Sequence, residues 1–344
     1  MSKHRSAPTL DDVAKAAGVS TATVSRCLNN PQRVVETTRQ RVLCAVDELG
    51  YTPNFAARVM AAKRSFTIGA IIPTMENSIF ARGLQAFQEE IHKRGYTLLV
   101  SSSAYKPEAE EEQIRTLVAR GADGLLLIGH DREERIYDYL ERQKIPALVA
   151  WSFNPSNRTP SVGFDNRQAM KTLAQQVIAL GHRRLATISG ISKGNDRARL
   201  RIAGIKDAMA ESGLLPDDLI VVETTYEIES GADALKNLMS QTPAPTAVLC
   251  GNDVLAVGAM RQAQEMGLSV PDEISITGFD DIELACIVSP TLTTVHVPHR
   301  KMGQKAALEL IHMIETSAPG RSVELSTRLV ARDSLTGAKE NQIR

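Results

Sequence analysis

The sequence predicts a small all-α head followed by an α/β body of two lobes with doubly wound parallel sheets. Residues 1–64 read as helices, whereas from Thr67 onward short apolar runs alternate with amphipathic segments. Strands that alternate with helices form parallel sheets covered on both faces. The segment SFNPSNRTPSVGFDN (152–166) interrupts the alternation near its middle. Its prolines and asparagines are typical of a crossing between two α/β halves.

The composition excludes several classes of protein. With 344 residues, 43% of them hydrophobic, the chain can bury at least one large core. It contains no run of 18 apolar residues, and its N-terminus lacks the apolar core of a signal peptide, which predicts a cytoplasmic protein with no membrane partner. The cysteines Cys27, Cys44, Cys250 and Cys286 form no CxxC pair. This favours buried thiols over a disulfide framework or a zinc site.

The charge is balanced overall but unevenly distributed. The whole chain has 40 basic and 40 acidic residues. Residues 1–64 carry ten basic and five acidic residues, a net charge of +5, which leaves 30 basic and 35 acidic residues and a net charge of −5 for the remainder. A basic head on an acidic body is typical of a protein that binds phosphates with one end only.

The head begins with a helix, a glycine turn and a second helix. Thr9 and Asp12 form a capping box before the first helix, which ends at Ala17 in front of Gly18. Ser20 caps the second helix. Its outward face is small, polar and singly basic, as expected of side chains that enter a DNA groove, and comprises Thr21, Ala22, Ser25, Arg26 and Asn29.

The inward face of the second helix carries Val24, Cys27 and Leu28. A third helix, TRQRVLCAVDELG (38–50), is expected to close this core with Val42, Ala45, Val46 and Leu49. An isolated pattern of this kind is weakly specific, so an ordinary three-helix bundle with a solvated outer face is the alternative.

The next segment, YTPNFAARVMAAK (51–63), predicts a short helix after Pro53, capped by Asn54. A helix of about eight residues is too short to be stable alone in water. Such a segment tends to become ordered on a partner.

These segments resemble the lactose repressor and purine repressor family, and the resemblance runs almost end to end. The head matches in LDDVAKAAGVSTATVSRCLN and YTPNFAARVM. The body matches in TIGAIIPTMENSIFA, GADGLLLIG, VGFDN, LGHRRLATISG, ARLRIAG, CGNDVLAVGAM, VPDEISITGFDD and PTLTTVHVPHRKMG. The resemblance implies a helix-turn-helix head, a hinge helix and a periplasmic-binding-protein-like body. It also implies a homodimer, or a tetramer, on near-palindromic double-stranded operator DNA.

We therefore expect a DNA-binding domain at 1–52, a hinge helix and linker at 53–65, an effector-binding and dimerisation domain at 66–338 and a tail at 339–344. Within the body, lobe 1 is expected at about 66–160 plus 294–320, and lobe 2 at about 161–290 plus 321–338. A cleft should lie where the strand ends of the two lobes face each other.

The resemblance also implies which residues contact DNA. They are Thr9, Ser20, Thr21, Ala22, Thr23, Ser25, Arg26, Asn29, Tyr51, Asn54, Ala57 and Met60. Each hinge helix would insert an apolar wedge into the minor groove at the operator centre. The family usually has leucine at the wedge position, where this sequence has Met60, a softer and more flexible side chain.

The same resemblance places an effector between the lobes. The matching positions are Asn77, Phe80, Trp151, Arg201, Asn252 and Asp280. Phe80 would cover the ligand, Arg201 would hydrogen-bond its oxygens, and Asn252 and Asp280 would hold hydroxyls. Trp151, the single tryptophan, ends a strand directed at the cleft.

Each of these residues also has a purely structural interpretation. An aromatic side chain in an α/β core is more often packing than a ligand platform. Asp280 could cap a turn, and Arg201 could pair with a nearby carboxylate. His296 and His299, in HVPH, form a possible metal pair, but no third ligand is placed, which favours a structural role and no metal site.

The leading hypothesis is a ligand-controlled transcription regulator, a repressor of genes for carbohydrate or sugar-acid uptake and catabolism. A sugar-binding protein of the transport type would need export and has no use for a basic head. An enzyme is disfavoured because the chain has no Gly-rich phosphate loop, no GxSxG elbow and no nameable catalytic residues or cofactor. The segments AYKPEAEEEQ and VGFDN are similar to gluconate-utilisation repressors, which indicates a sugar acid; neutral sugars and nucleosides remain open.

Overall fold

The computed structural model describes residues 7–52, 64–76 and 78–339. Its contacts divide the chain into two compact units, one ending at Ser65 and the other beginning at Phe66. None of the helices in these described ranges combines the length and the apolar character needed to cross a membrane.

The first unit, the head, is built from three helices. They are α1 (Leu10–Ala17), α2 (Thr21–Asn29) and α3 (Glu36–Leu49), with a 3-10 turn at Pro31–Arg33. The predicted capping box is confirmed, because Thr9 N–H donates to Asp12 Oδ2 at 2.9 Å while Thr9 Oγ1 accepts from Asp12 N. Gly18 ends α1 with a φ of 64°, and Ser20 Oγ accepts from Thr23 N at 3.2 Å to begin α2.

The helices of the head share a small apolar core. It contains Val13, Ala14, Ala17, Val24, Cys27, Val42, Ala45 and Tyr51. The prediction that Leu49 joins this core is wrong, since its side chain is 37% exposed. Leu49 is the last residue of α3, directly before the Gly50 cap, and does not belong to the apolar cluster of the head.

In the second unit, the body, the first sheet and its helices form lobe 1. The elements are β1 (Thr67–Ile72), α4 (Ser78–His92), β2 (Thr97–Ser102), α5 (Pro107–Ala119), β3 (Gly124–Ile128), α6 (Glu134–Gln143), β4 (Ala147–Ala150) and β5 (Ser161–Gly163). Two late elements complete the lobe, α12 (His299–Thr316) and β11 (Val323–Glu324). The strand order is β11-β5-β4-β3-β1-β2, and every pair is parallel.

Lobe 2 repeats the arrangement around a four-stranded parallel sheet of order β7-β6-β8-β9. Its elements are α7 (Asn166–Ala179), β6 (Leu185–Gly190), α8 (Asp196–Glu211), a 3-10 turn (Pro216–Asp218), β7 (Ile220–Thr224), α9 (Ile228–Met239), β8 (Ala247–Cys250), α10 (Asp253–Glu265), β9 (Ser275–Thr277) and α11 (Leu284–Ile287). The strands β1 and β6 are buried along their whole length, because helices cover both faces of their sheets, and their sequences are therefore mostly apolar without alternation.

An antiparallel pair, β10 (Thr294–His296) and β12 (Arg328–Val330), carries the chain between the lobes. The expected lobe boundaries are wrong at two places. β5 pairs with β4 and β11 pairs with β5, so residues 161–163 and 323–324 belong to the sheet of lobe 1. Such short strands take their place from the neighbouring strand, which the local sequence pattern does not reveal.

The expectation of four buried thiols is correct for Cys27 and Cys250 only. Cys44 and Cys286 are exposed, because they lie on the outer faces of α3 and α11. Neither of the exposed thiols is in a disulfide.

Candidate functional site

The outward face of α2 is accessible. Thr21, Ala22 and Arg26 are exposed, and Thr23 and Ser25 are half-buried. Ser20 is exposed and its Oγ lies 2.9 Å from Thr23 Oγ1. The predicted outward face therefore presents short polar groups and one guanidinium, a set that fits between the walls of a groove.

The other predicted contacts of the head have different surroundings. Thr9 caps α1, whereas the ring of Tyr51 is only 8% exposed and packs in the core of the head. Asn54, Ala57, Met60 and, in the body, Asn77 lie outside the described residues, as does the side chain of Asn29.

Five of the predicted effector residues line one cavity at the strand ends of the body. This inner cavity has a volume of about 30 Å³ and is open to solvent. Phe80, Trp151, Arg201, Asn252 and Asp280 line it. They come from both lobes and from positions up to 200 residues apart in sequence, and parallel α/β folds gather such residues at the carboxyl ends of their strands.

Arg201 is buried and already heavily engaged. Its Nε donates to Asn166 Oδ1 at 2.9 Å, and its Nη1 donates to the carbonyl of Gly251. The guanidinium lies 3.7 Å above the ring of Phe279. Its Nη2 is 3.9 Å from Asp280 Oδ1, beyond hydrogen-bond distance. Nη2 is therefore the part of the Arg201 guanidinium that lies nearest to Asp280 and that can face a ligand.

Asp280 is the least satisfied polar group in the cavity. It is 1% exposed, and neither carboxylate oxygen has a hydrogen-bond partner in the part of the chain that the structure describes. Burial raises the pKa of Asp280 to about 6, despite the attraction of Arg201 and Arg197. Its backbone has a φ of 104°, a strained conformation for a residue with a side chain. Two buried acceptors without partners are well suited to ligand hydroxyls.

Asn252 combines a structural and a ligand-facing role. It caps α10, since its Oδ1 accepts from Leu255 N at 2.9 Å. The cap leaves Nδ2 buried, with no partner among the described residues. The cavity wall thus offers an amide donor beside the carboxylate of Asp280.

The aromatic wall joins Phe80, Trp151 and His299. Phe80 meets Trp151 edge-on with ring centroids 5.3 Å apart. Trp151 Nε1 donates to His299 Nδ1 at 3.2 Å, and Gly83 provides the space for the indole, because a Cβ there would overlap it. Burial lowers the pKa of His299 to about 4, so the imidazole is neutral and can accept this bond.

The structure places five further residues on the cavity that the sequence patterns did not single out. They are Ile79, Tyr105, Asn195, Arg197 and Tyr226. Asn195 caps α8 with its Oδ1, and Arg197 lies two residues further along the chain. The polar run GNDRAR, directly after the loop that follows β6, was the available signal, because loops at the carboxyl ends of parallel strands carry binding residues.

Arg197 Nη1 donates to Asp196 Oδ1 at 3.0 Å. Asp196 in turn accepts from His130 N at 2.9 Å and from Ser152 Oγ at 3.0 Å, which ties α8 to lobe 1. Burial opposes ionisation of Asp196, but Arg197 and these donors outweigh it and hold the pKa below its ordinary value. Asp196 is fully satisfied, and Arg197 keeps Nε and Nη2 outside this ion pair.

The two histidines of HVPH have structural partners. His296 Nδ1 lies 2.8 Å from Asp281 Oδ2, and His299 bonds to Trp151. No group of three metal-ligating side chains exists among the described residues.

Two family models match the chain. Residues 9–54 match bacterial regulatory proteins of the lacI family, and residues 174–335 match a periplasmic binding protein-like domain.

Three relatives are similar over most of their length. The HTH-type transcriptional repressor PurR of Vibrio campbellii is 34% identical over 329 residues, which is 95% of this chain and 98% of the relative. Catabolite control protein A of Priestia megaterium is 33% identical with the same coverage. The HTH-type transcriptional regulator GntR of Escherichia coli K12 is 33% identical over 91% of this chain and 93% of the relative.

The structural comparison agrees with these matches. The Lac repressor dimer bound to operator and the anti-inducer ONPF superposes with a TM-score of 0.85. The two chains are 29% identical, and the match covers 96% of this chain and all of the other.

Proposed function

The chain belongs to the lacI family of bacterial regulatory proteins, and from this premise we propose that a small sugar acid bound in the inner cavity controls it. Its relatives include a transcriptional repressor and a transcriptional regulator, so the chain is a DNA-binding transcriptional regulator with an effector domain and not an enzyme. The regulated genes would serve uptake or breakdown of the same class of compound.

The neighbouring cations and acceptors of the inner cavity support a sugar acid. Arg201 and Arg197 both line the cavity and both act on the charge of Asp280, with Arg201 Nη2 3.9 Å from Asp280 Oδ1. A carboxylate that shares these two guanidinium groups would form charge-assisted bonds in a poorly hydrated place. Asp280 repels a second anion, so the acid end has to lie on the arginine side of the ligand.

The polar groups that have no protein partner match the remaining hydroxyls. Each hydroxyl can donate to an Asp280 oxygen and accept from a donor such as Asn252 Nδ2. Phe80 and Trp151 would cover the apolar C–H face of the carbon chain. The observation that carries the proposal is that Asp280, whose two oxygens have no hydrogen-bond partner among the described residues, lines the same cavity as Asn252, Arg197 and Arg201.

Calorimetric titration with gluconate, 2-ketogluconate, glucose and ribose tests the effector class. We expect one of the acids to bind at least about tenfold more tightly than either neutral sugar, since two cations face the ligand. The PurR and catabolite control relatives are as similar as the GntR relative, so a neutral sugar or a nucleoside is the competing candidate. A neutral sugar that binds as tightly as the acids would rule out the sugar-acid proposal but not the family.

The DNA partner is proposed to be a near-palindromic operator bound by a homodimer, as in the operator-bound Lac repressor dimer. A two-fold symmetric protein matches two half-sites related by the same symmetry. Each outward face of α2 would then read one half-site.

Arg26→Ala is expected to weaken operator binding about 10- to 100-fold more than it weakens binding to random DNA, because a bidentate arginine–guanine contact is worth about 1–3 kcal/mol. Arg26 is exposed on the outward face of α2. Fluorescence anisotropy with operator and scrambled duplexes measures both affinities. Arg33→Ala, which removes an exposed cation of the head outside that face, is the control and should weaken both duplexes equally. Equal losses for Arg26→Ala would show a phosphate contact only.

A further inference from the structure

A second cavity adjoins the inner cavity at the mouth of the cleft. This outer cavity has a volume of about 330 Å³, compared with about 30 Å³ for the inner one. The two cavities share three wall residues, Tyr105, Asn195 and Tyr226. A ligand anchored in the inner cavity therefore reaches the outer one past these three side chains.

An aromatic pair from the two lobes forms the boundary. Tyr105 follows β2 and Tyr226 follows β7, and their rings lie 5.7 Å apart with a tilt of 36°. Tyr226 Oη accepts from Asn195 Nδ2 at 3.4 Å. Rigid aromatic side chains supply contact area for the apolar C–H face of a sugar ring at little cost in conformational entropy.

The backbone beside these two rings adopts conformations that cost conformational free energy. Ala104 and Tyr105 have φ values of 50° and 57°, and such a left-handed residue costs on the order of 1 kcal/mol. Gly190 has no Cβ, and a Cβ there would overlap the ring of Tyr226. A role of the two rings in ligand binding would explain both the left-handed backbone at Ala104 and Tyr105 and the glycine at position 190.

The charges of the outer wall select against a second anion. The charged side chains that the described part of the chain places on it are Glu76, Lys193 and Glu227, with a net charge of −1. Threonine hydroxyls from the end of β7 and the half-exposed side chain of Ile191 complete that side of the wall. A neutral, polar group with apolar faces fits this wall better than a phosphate or a second carboxylate.

We propose that the outer cavity is a second effector subsite for a neutral sugar ring that is glycosidically linked to the sugar acid in the inner cavity. The inference rests on the proposed function, because the inner unit is taken to be the acid. The effector would then be an acidic disaccharide, with its second ring against Tyr105 and Tyr226.

Calorimetry with gluconate and its 4-O-glycosylated forms, maltobionate and lactobionate, tests the subsite on the full-length protein. We expect at least one glycosylated acid to bind at least about tenfold more tightly than gluconate. Ile191 lines the outer cavity but not the inner one, so Ile191→Trp places a bulky indole where the second ring would lie. It should abolish this advantage while gluconate affinity changes less than about twofold. Leu215→Trp, an equally large addition at an exposed site of the same lobe, is the control and should leave the advantage intact.

The outer subsite is overturned if gluconate binds as tightly as both glycosylated acids, or if their advantage survives Ile191→Trp. Titration with maltose and lactose, the neutral counterparts of the two glycosylated acids, tests the proposed function independently of the outer subsite. If they bind as tightly as the corresponding acids, the inner cavity does not recognise the carboxylate and the sugar-acid proposal fails. This conclusion holds whatever the ratio of the affinities for the glycosylated acids and gluconate is. Absence of binding by all five ligands overturns both.

Discussion

Asp280→Asn is expected to stabilise the body while it weakens gluconate binding by about 100-fold or more. The carboxylate is fully buried, its oxygens have no hydrogen-bond partner among the described residues, and its nearest cation, Arg201 Nη2, is 3.9 Å away. Ionised Asp280 therefore lowers the free energy of unfolding. Asparagine has nearly the same shape but no charge, and it replaces a strong acceptor of ligand hydroxyls by a weaker one.

The pH dependence follows from the direction of the shift. The pKa of Asp280 rises from 3.8 to about 6 on folding, so the native state binds more protons than the unfolded state between these values. The unfolding free energy that this group contributes falls as the pH rises through that window and stays low above it. Near pH 7.5 we expect the variant to be more stable by about 1–3 kcal/mol, and its advantage should shrink toward pH 4.

Thermal unfolding from pH 4.5 to 8 and calorimetry with gluconate measure the two effects. Asp281→Asn is the matched control, because Asp281 accepts from Arg332 Nη2 at 2.6 Å and pairs with His296 at 2.8 Å. Burial opposes its ionisation, but these partners hold the pKa of Asp281 below its ordinary value, so its loss should destabilise the protein above pH 4. A lower melting temperature for Asp280→Asn at pH 7.5, or wild-type affinity for gluconate, would contradict the proposed role of Asp280.

Arg201→Lys is expected to lower gluconate affinity by about 100-fold or more, about 2.7 kcal/mol, and to leave effector-free operator affinity within about twofold. A single ammonium group cannot replace a guanidinium that holds Asn166 and Gly251 on one side and points Nη2 at the ligand on the other. Operator binding should persist because the head is a separate compact unit.

Lys206→Ala controls for the loss of a charge from the same helix. Lys206 is on α8 and pairs with Asp217 at 3.3 Å at the surface, so its removal should change neither gluconate nor operator affinity by more than about twofold. Arg201→Lys also weakens internal bonds, so circular dichroism and a melting curve must first show a folded protein. If a folded Arg201→Lys protein binds gluconate normally, Arg201 does not read the acid.

Features that depend on residues close together in the chain could be predicted from the sequence. The capping box at Thr9, the glycine stop at Gly18 and the cap at Ser20 are set by residues within three or four positions of each other, and the structure has all of them. The alternation of apolar strands and amphipathic helices was equally readable, because burial on both faces of a parallel sheet imposes continuous apolar runs. The motifs of the head and of the body were sufficient to identify the family.

Tertiary structure alone decided which groups of the cleft are free. Arg201 is held by Asn166 and Gly251, which are 35 and 50 residues away, and no spacing rule predicts such partners. Asp280 is buried where no donor among the described residues reaches its oxygens. Arg197, Tyr105 and Tyr226 come together in the cleft because the two lobes pack against each other. The periodicity of a sequence shows which face of a helix or strand is apolar. Whether a charged group in a binding site has a partner depends instead on contacts between distant segments. Those contacts form only when the lobes pack.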